Sequence, residues 1–70
     1  MDFRRKIGQR IKLLRESKSI TQEGMDTEPD GISHRTVQDV ENGDREIYLS
    51  TIFRIAKKLG VEPHELLKIE

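Results

Sequence analysis

The histidines and carboxylates of this 70-residue chain form no recognisable catalytic or metal-binding pattern. His34 and His64 are the only histidines and lie 30 positions apart, and there is no cysteine. A zinc site would have to depend on carboxylate ligands, and neither a disulfide nor a thiolate site can form. No nucleophile–base pair and no glycine-rich phosphate loop is recognisable. The sequence therefore predicts that the chain is not an enzyme and has no metal or cofactor.

The formal net charge of zero conceals an asymmetry along the chain. Residues 1–18 carry a net charge of +5, residues 19–47 carry −6 and residues 48–70 carry +1. The zero is therefore a cancellation between a basic first segment and an acidic middle. Such an asymmetry has two interpretations: solvated helix faces only, or one surface that attracts phosphate beside another that does not.

Length and composition indicate one domain over residues 1–70, with about a third of the residues apolar. No apolar run approaches the roughly 18 residues of a membrane span. The charged N-terminus is not followed by the apolar stretch of a signal peptide. We expect a small, soluble, cytoplasmic protein that does not enter a membrane.

Apolar periodicity, together with helix-capping residues, glycines and prolines, predicts an all-α fold with five helices. They cover about 3–17, 22–27, the segment between the N-cap Ser33 and the C-cap Gly43, 49–59, and a last segment from Pro63 onward. The first helix has Asp2 as its N-cap and an apolar stripe of Phe3, Ile7, Ile11 and Leu14. Gly8 inside it costs about 1 kcal/mol relative to alanine, which is tolerable if another helix packs closely there.

The second and third predicted helices are joined by a short break that contains Gly31. This is the layout of a helix-turn-helix, in which the second helix of the pair enters the DNA major groove. Many small helical domains also contain two short adjacent helices, so the layout alone does not decide between them.

A spaced set of residues between positions 7 and 67 adds a more specific signal. Its members are Arg15, Thr21-Gln22-Glu23, Glu41-Asn42-Gly43 and Ala56-Lys57-Lys58-Leu59-Gly60. With this set, the sequence resembles the phage-repressor-like (Cro-like, or XRE-type) helix-turn-helix family, which implies a compact five-helix, lambda-repressor-like domain.

The resemblance implies roles at matching positions. Gln22 would touch a phosphate at the start of the second helix, where anions are favoured. Asn42, with Arg45 nearby, would form a second phosphate clamp. The residues on or beside the groove-facing side of the third helix would be Ser33, His34, Arg35, Thr36, Gln38 and Asp39.

Base recognition follows from the chemistry of three of these side chains. Arg35 would pair with guanine O6 and N7, Gln38 with adenine, and Asp39 with cytosine N4. For Gln22, Ser33 and Thr36 a purely structural role in capping or solvating helix ends is an equal alternative. Arg15 and Glu41 resemble the family's partly buried ion pair between the first and third helices, and we interpret both as structural.

The second helix departs from the family pattern at Gly24, at Asp26 and in a connection about one residue longer than usual. These departures predict a short or frayed helix and a wider turn. Ile47-Tyr48 occupy the place of the family's usual Pro-Ser, so Ser50 is an alternative start for the fourth helix. The acidic segment 23–30 would repel phosphate, or would meet a basic protein partner.

The leading hypothesis is a repressor-like, nucleoid-associated transcription regulator that binds a pseudo-palindromic operator as a homodimer. The candidate dimer contacts are Leu66, Leu67 and Ile69, with core packing as the alternative. The competing hypothesis is a protein-interaction module on the same fold. It could be an antitoxin, an antirepressor or the DNA-binding-impaired domain of a larger regulator.

Overall fold

The computed structural model describes residues 2–28 and 30–69, which form four α-helices and one 3₁₀ turn. The α-helices are α1 (Phe3–Ser17), α2 (His34–Asn42), α3 (Leu49–Leu59) and α4 (Pro63–Leu66), and the 3₁₀ turn covers Glu23–Asp26. No strand occurs in these two ranges, so the all-α prediction is confirmed. None of the helices described is long and apolar enough to cross a membrane.

The helix ends lie where the capping residues predict them. The backbone N–H of Arg4 donates to Asp2 Oδ1 at 2.9 Å, and the N–H of Thr36 donates to Ser33 Oγ at 3.2 Å. Gly43 and Gly60 end α2 and α3 with φ values of 73° and 72°, a left-handed conformation that favours glycine.

The prediction of five helices is wrong at the second helix, because the chain forms only one 3₁₀ turn there. Gly24 and Asp26 are poor helix formers, and Thr27 already has extended backbone angles, φ −91° and ψ 150°. The hydroxyl of Thr21 accepts the N–H of Gly24 at 2.9 Å, which fixes the start of the turn. Residues 22–27 are thus too short and too weakly helical to complete an α-helix.

Helix α3 begins at Leu49 and not at the alternative start Ser50. Its N-cap, Tyr48, makes no side-chain capping bond, and its carbonyl accepts the N–H of Ile52 at 3.1 Å. Helix α3 therefore begins with a backbone hydrogen bond and without the side-chain cap that a start at Ser50 would have provided.

The core is a cluster of apolar side chains from all four helices, from the 3₁₀ turn and from Ile32, which lies between the turn and α2. Its buried members are Ile11, Met25, Ile32, Val37, Val40, Ile52, Ile55, Ala56, Leu59 and Leu66. Phe3 does not continue the apolar stripe of α1 into the core, because its side chain is 69% exposed. Leu49 and Phe53 on α3 are also exposed.

Gly8 of α1 packs closely against the end of α2. A Cβ atom at this position would lie 2.3 Å from the carbonyl oxygen of Val40 and 2.7 Å from that of Glu41. The close packing that Gly8 led us to expect is therefore present, and any side chain would push α2 away from α1.

The C-terminal residues differ in their suitability as surface contacts. Leu66 is fully buried in the core, so its candidacy as a dimer contact is wrong and the core-packing alternative is confirmed for it. Leu67 remains exposed, and Ile69 is half-buried beyond the end of α4. The Nε of Arg10 donates to the carbonyl of Glu65 at 2.9 Å, which ties α4 to α1.

Candidate nucleic-acid interface

Helix α2 presents a polar face opposite its buried face. Val37, Val40 and Glu41 are buried against the rest of the molecule. The positions i, i+3, i+4 and i+7 that begin at Arg35 form one stripe on the other side. Its members are Arg35, Gln38, Asp39 and Asn42, of which only Asp39 is half-buried and the others are exposed. Such a stripe has the hydrogen-bonding groups that base edges and phosphates require.

The start of α2 is built by Ser33, His34 and Thr36. The hydroxyl of Ser33 donates to Thr36 Oγ1 at 2.8 Å while accepting the backbone N–H of Thr36. Both hydroxyls therefore serve the helix cap, which is the structural alternative for these two residues. The ring Nε2 of His34 lies 4.0 Å from Glu23 Oε2 of the 3₁₀ turn, and both side chains are exposed.

A buried ion pair anchors the opposite side of α2. The Nε of Arg15 donates to Glu41 Oε2 at 2.6 Å, and its Nη2 donates to Glu41 Oε1 at 3.1 Å. The third donor, Nη1, reaches the carbonyl of Ile20 at 2.6 Å. The hydrogen bonds to Glu41, with the charge of its carboxylate, raise the pKa of Arg15 against the opposing effect of its burial, so the guanidinium stays charged.

Gln22 joins the same network instead of pointing freely outward. Its Nε2 donates to Glu41 Oε1 at 3.0 Å, and its side chain is half-buried. One N–H of the amide remains after this bond, because a carboxamide nitrogen carries two. The network thus fixes the position of Gln22 beside the start of the 3₁₀ turn.

Asp39 lies between two arginines on the polar face. Its Oδ2 is 3.7 Å from Arg35 Nε and 3.2 Å from Arg45 Nη2. The contact with Arg35 spans one helical turn, and Arg45 returns to Asp39 from the segment beyond Gly43. The structure therefore brings together three of the predicted site residues.

The connection between the 3₁₀ turn and α2 is held at Thr27, Asp30 and Gly31 by three cationic side chains of α3. Arg54 Nη2 donates to the carbonyl of Gly31 at 2.8 Å, and Lys57 Nζ lies 3.5 Å from Asp30 Oδ1. Lys58 Nζ bonds to Thr27 through both the hydroxyl, at 2.8 Å, and the carbonyl.

Sequence reasoning missed the contacts from α3 to the connection between the 3₁₀ turn and α2. No local signal could have found them, because they join residues 23 to 31 positions apart. The Arg35–Asp39 pair, by contrast, has the i,i+4 spacing of a helical ion pair and could have been predicted. Within residues 2–28 and 30–69, no cluster of three or more histidine and acidic side chains is arranged to hold a metal ion.

Comparison with known proteins agrees with this architecture. Residues 11–66 match the family model described as helix-turn-helix. The control protein C.BamHI of Bacillus amyloliquefaciens is 44% identical over 62 residues, which cover 86% of this chain and 74% of that protein. An uncharacterized HTH-type transcriptional regulator, y4dJ of Sinorhizobium fredii (strain NBRC 101917 / NGR234), is 33% identical over 67 residues, which cover 96% of this chain and 86% of that protein.

A solved structure extends the likeness to three dimensions. The crystal structure of the restriction-modification controller protein C.AhdI from Aeromonas hydrophila superimposes with a TM-score of 0.81 at 36% identity. The match covers 90% of this chain and 94% of that one. The chain therefore belongs to the phage-repressor-like, XRE-type helix-turn-helix family of DNA-binding transcription regulators.

Proposed function

We propose that this protein regulates transcription by inserting α2 into the major groove of a specific DNA sequence. The observation that carries the proposal is the exposed polar stripe of α2, anchored from behind by the buried Arg15–Glu41 pair. A helix of nine residues that is capped at both ends presents this stripe as a rigid surface. Rigid presentation matters because base recognition depends on the placement of a few side chains.

The proposed interface makes two kinds of contact with DNA, one to base edges and one to phosphates. Arg35 would pair with guanine O6 and N7, and Gln38 with adenine N6 and N7. Gln22, with its remaining amide N–H, would bond to a phosphate on one side of α2. Asn42 and Arg45 would bond to phosphates on the other side, and such contacts fix register and not sequence.

The acidic segment 23–30 does not argue against DNA binding as strongly as its charge suggests. Asp30 lies within ion-pair distance of Lys57, and the adjoining carbonyls of Thr27 and Gly31 accept from Lys58 and Arg54. The exposed carboxylates of Glu23, Asp26 and Glu28 still face solvent. We therefore expect weak binding to non-cognate DNA and a strong dependence on the correct sequence.

The functional unit of the proposal is a homodimer on a pseudo-palindromic operator, with two α2 helices about 34 Å apart. Leu67 and Ile69 are its candidate contacts, because Leu66 is fully buried in the core. Leu67 is 45% exposed, so its side chain is accessible to a second copy. Leu67→Glu should then shift the protein to monomer in sedimentation, while Leu67→Met should leave the dimer intact.

The names of two relatives point to a biological setting. C.BamHI is a control protein, and C.AhdI is a controller of restriction-modification. We infer the same class of role for this chain, acting in the cytoplasm on chromosomal or plasmid DNA. The cognate operator should then lie upstream of restriction or methylation genes.

Selection of bound DNA from a random pool tests the proposal. The wild-type protein should enrich one motif, and Arg35→Ala should remove the preference at a guanine within it. Lys12→Ala is the matched control, because it removes one exposed positive charge from α1 and should leave the motif unchanged. Binding measured from about 50 to about 200 mM salt separates the generic phosphate contribution from the sequence preference.

A protein-interaction module is the second candidate, favoured by the exposed carboxylates of Glu23, Asp26 and Glu28. If no sequence is enriched even at low salt, the regulator proposal fails and the interaction role takes its place. A basic protein partner should in that case bind less tightly to a variant in which these three carboxylates are replaced by amides.

A further inference from the structure

The carboxylate of Asp39 occupies a sheltered position between the base-facing and phosphate-facing parts of the proposed interface. Its side chain is 22% exposed, whereas that of Arg35 is 83% exposed and that of Arg45 is 44% exposed. A sheltered acceptor thus faces two cations that extend into solvent. We propose that Asp39 is a positioning residue that orients Arg35 and Arg45, and that it does not itself read a base. This inference rests on the proposed function.

The geometry of the first contact favours this role. Asp39 Oδ2 lies 3.7 Å from the Nε of Arg35, which is ion-pair distance and not hydrogen-bond distance. The two Nη groups are then available for guanine O6 and N7, which a guanidinium contacts through a pair of N–H groups. An arginine without such a neighbour has many rotamers, and holding it in one of them costs conformational entropy on binding.

The second contact links the reading face to the proposed phosphate clamp. Arg45 Nη2 donates to Asp39 Oδ2 at 3.2 Å, and the backbone carbonyl of Asp39 accepts the N–H of Asp44 at 2.9 Å. The segment after α2 is therefore tied to Asp39 by a side chain and by the backbone. Through this link, Asp39 sets the position of Arg45 relative to Arg35.

The two cations also change what the carboxylate would do near DNA. An uncompensated Asp39 on the reading face would repel phosphate and would accept from cytosine N4. With Arg35 and Arg45 on the same oxygen, its charge is compensated within the protein. A base preference that depends on Asp39 should therefore appear at the guanine contacted by Arg35, and not at a separate cytosine.

Base-resolved competition binding with the selected operator tests the proposal. Asp39→Asn keeps the shape of the side chain and removes its charge. Asp44→Asn is the matched control, because Asp44 is exposed and its side chain makes no hydrogen bond or ion pair with the residues that the structure describes. Arg35→Ala and the double variant Arg35→Ala/Asp39→Asn complete a cycle, and circular dichroism verifies that each variant is folded.

We expect Arg35→Ala to reduce the guanine preference about tenfold or more. Asp39→Asn should reduce it at the same base pair by about twofold to fivefold, the range of an exposed ion pair. In the Arg35→Ala background, Asp39→Asn should cause no further loss at that position. Asp44→Asn should alter affinity equally for all sequences.

Three results would overturn the inference. Asp39→Asn could change the preference at a cytosine and leave the guanine unaffected, which would make Asp39 a direct reader. The effects of Arg35→Ala and Asp39→Asn could be additive, which would show that the residues act independently. The operator could contain no guanine sensitive to Arg35→Ala. If the wild-type protein selects no sequence at all, the proposed function itself fails, which is a distinguishable outcome.

Discussion

Replacement of Arg15 by methionine tests whether the buried ion pair holds the helix-turn-helix together. The substitution removes the three hydrogen bonds from the guanidinium, two to Glu41 and one to the carbonyl of Ile20. The Glu41 side chain is only 2% exposed, so its charge would stay buried, with the Gln22 amide as its remaining bonded partner among the described residues.

The expected loss follows from that uncompensated charge. Breaking a buried pair by removing one partner costs about 3–5 kcal/mol. A domain of this length has a free energy of unfolding of about 4–10 kcal/mol. Arg15→Met should therefore remove a third or more of the stability and lower the melting temperature by about 15–30 °C.

Urea unfolding followed by circular dichroism measures this loss, and the double variant Arg15→Met/Glu41→Met supplies the control. With both charges gone, two apolar side chains replace the pair, and at least half of the lost stability should return. A loss below about 1 kcal/mol for Arg15→Met would show that the pair behaves as if exposed to solvent. A double variant as unstable as the single one would assign the loss to packing around the arginine stem.

Three further substitutions test other parts of the fold. Gly8→Ala should destabilise the protein by about 1–3 kcal/mol despite a better helix propensity, because the new Cβ would meet the carbonyl of Val40; a raised melting temperature would contradict this. Ser33→Ala should cost about 1 kcal/mol in urea unfolding, while Ser33→Asp, which keeps a capping oxygen, should stay near the wild type. Lys58→Met should change the free energy of unfolding by less than about 1 kcal/mol, yet accelerate amide exchange around Thr27 relative to a Lys12→Met control.

Local signals predicted the helix ends, because each cap depends on residues within one turn. Asp2, Ser33 and Gly43 all have the predicted roles, and α3 ends at Gly60. The weak second helix was also predictable from Gly24 and Asp26, although not its reduction to one 3₁₀ turn. The 3₁₀ turn depends on Met25, which is fully buried. It therefore depends on core packing, which no local pattern specifies.

Exposure and long-range contacts were less predictable. Phe3 and Phe53 fit apolar stripes on their helices, but neither side chain is part of the buried core, and both remain exposed. For Arg15 and Glu41, 26 positions apart, the family resemblance and not the spacing indicated a contact. The predicted roles of the α2 residues in DNA binding stay predictions, since a helix face shows which side chains are available and not what they bind.

The 3₁₀ turn, although only four residues long, is held from several directions. Met25 fixes it in the core, Gln22 ties its start to Glu41, and Lys58 holds Thr27 at its end. Ordering a free segment of this kind would cost about 1–2 kcal/mol per residue in backbone entropy. Because the turn is ordered when the protein folds, this entropy is not lost again when a ligand binds to α2. The heat-capacity change of association should then reflect only the apolar area covered at the interface, with no contribution from coupled folding.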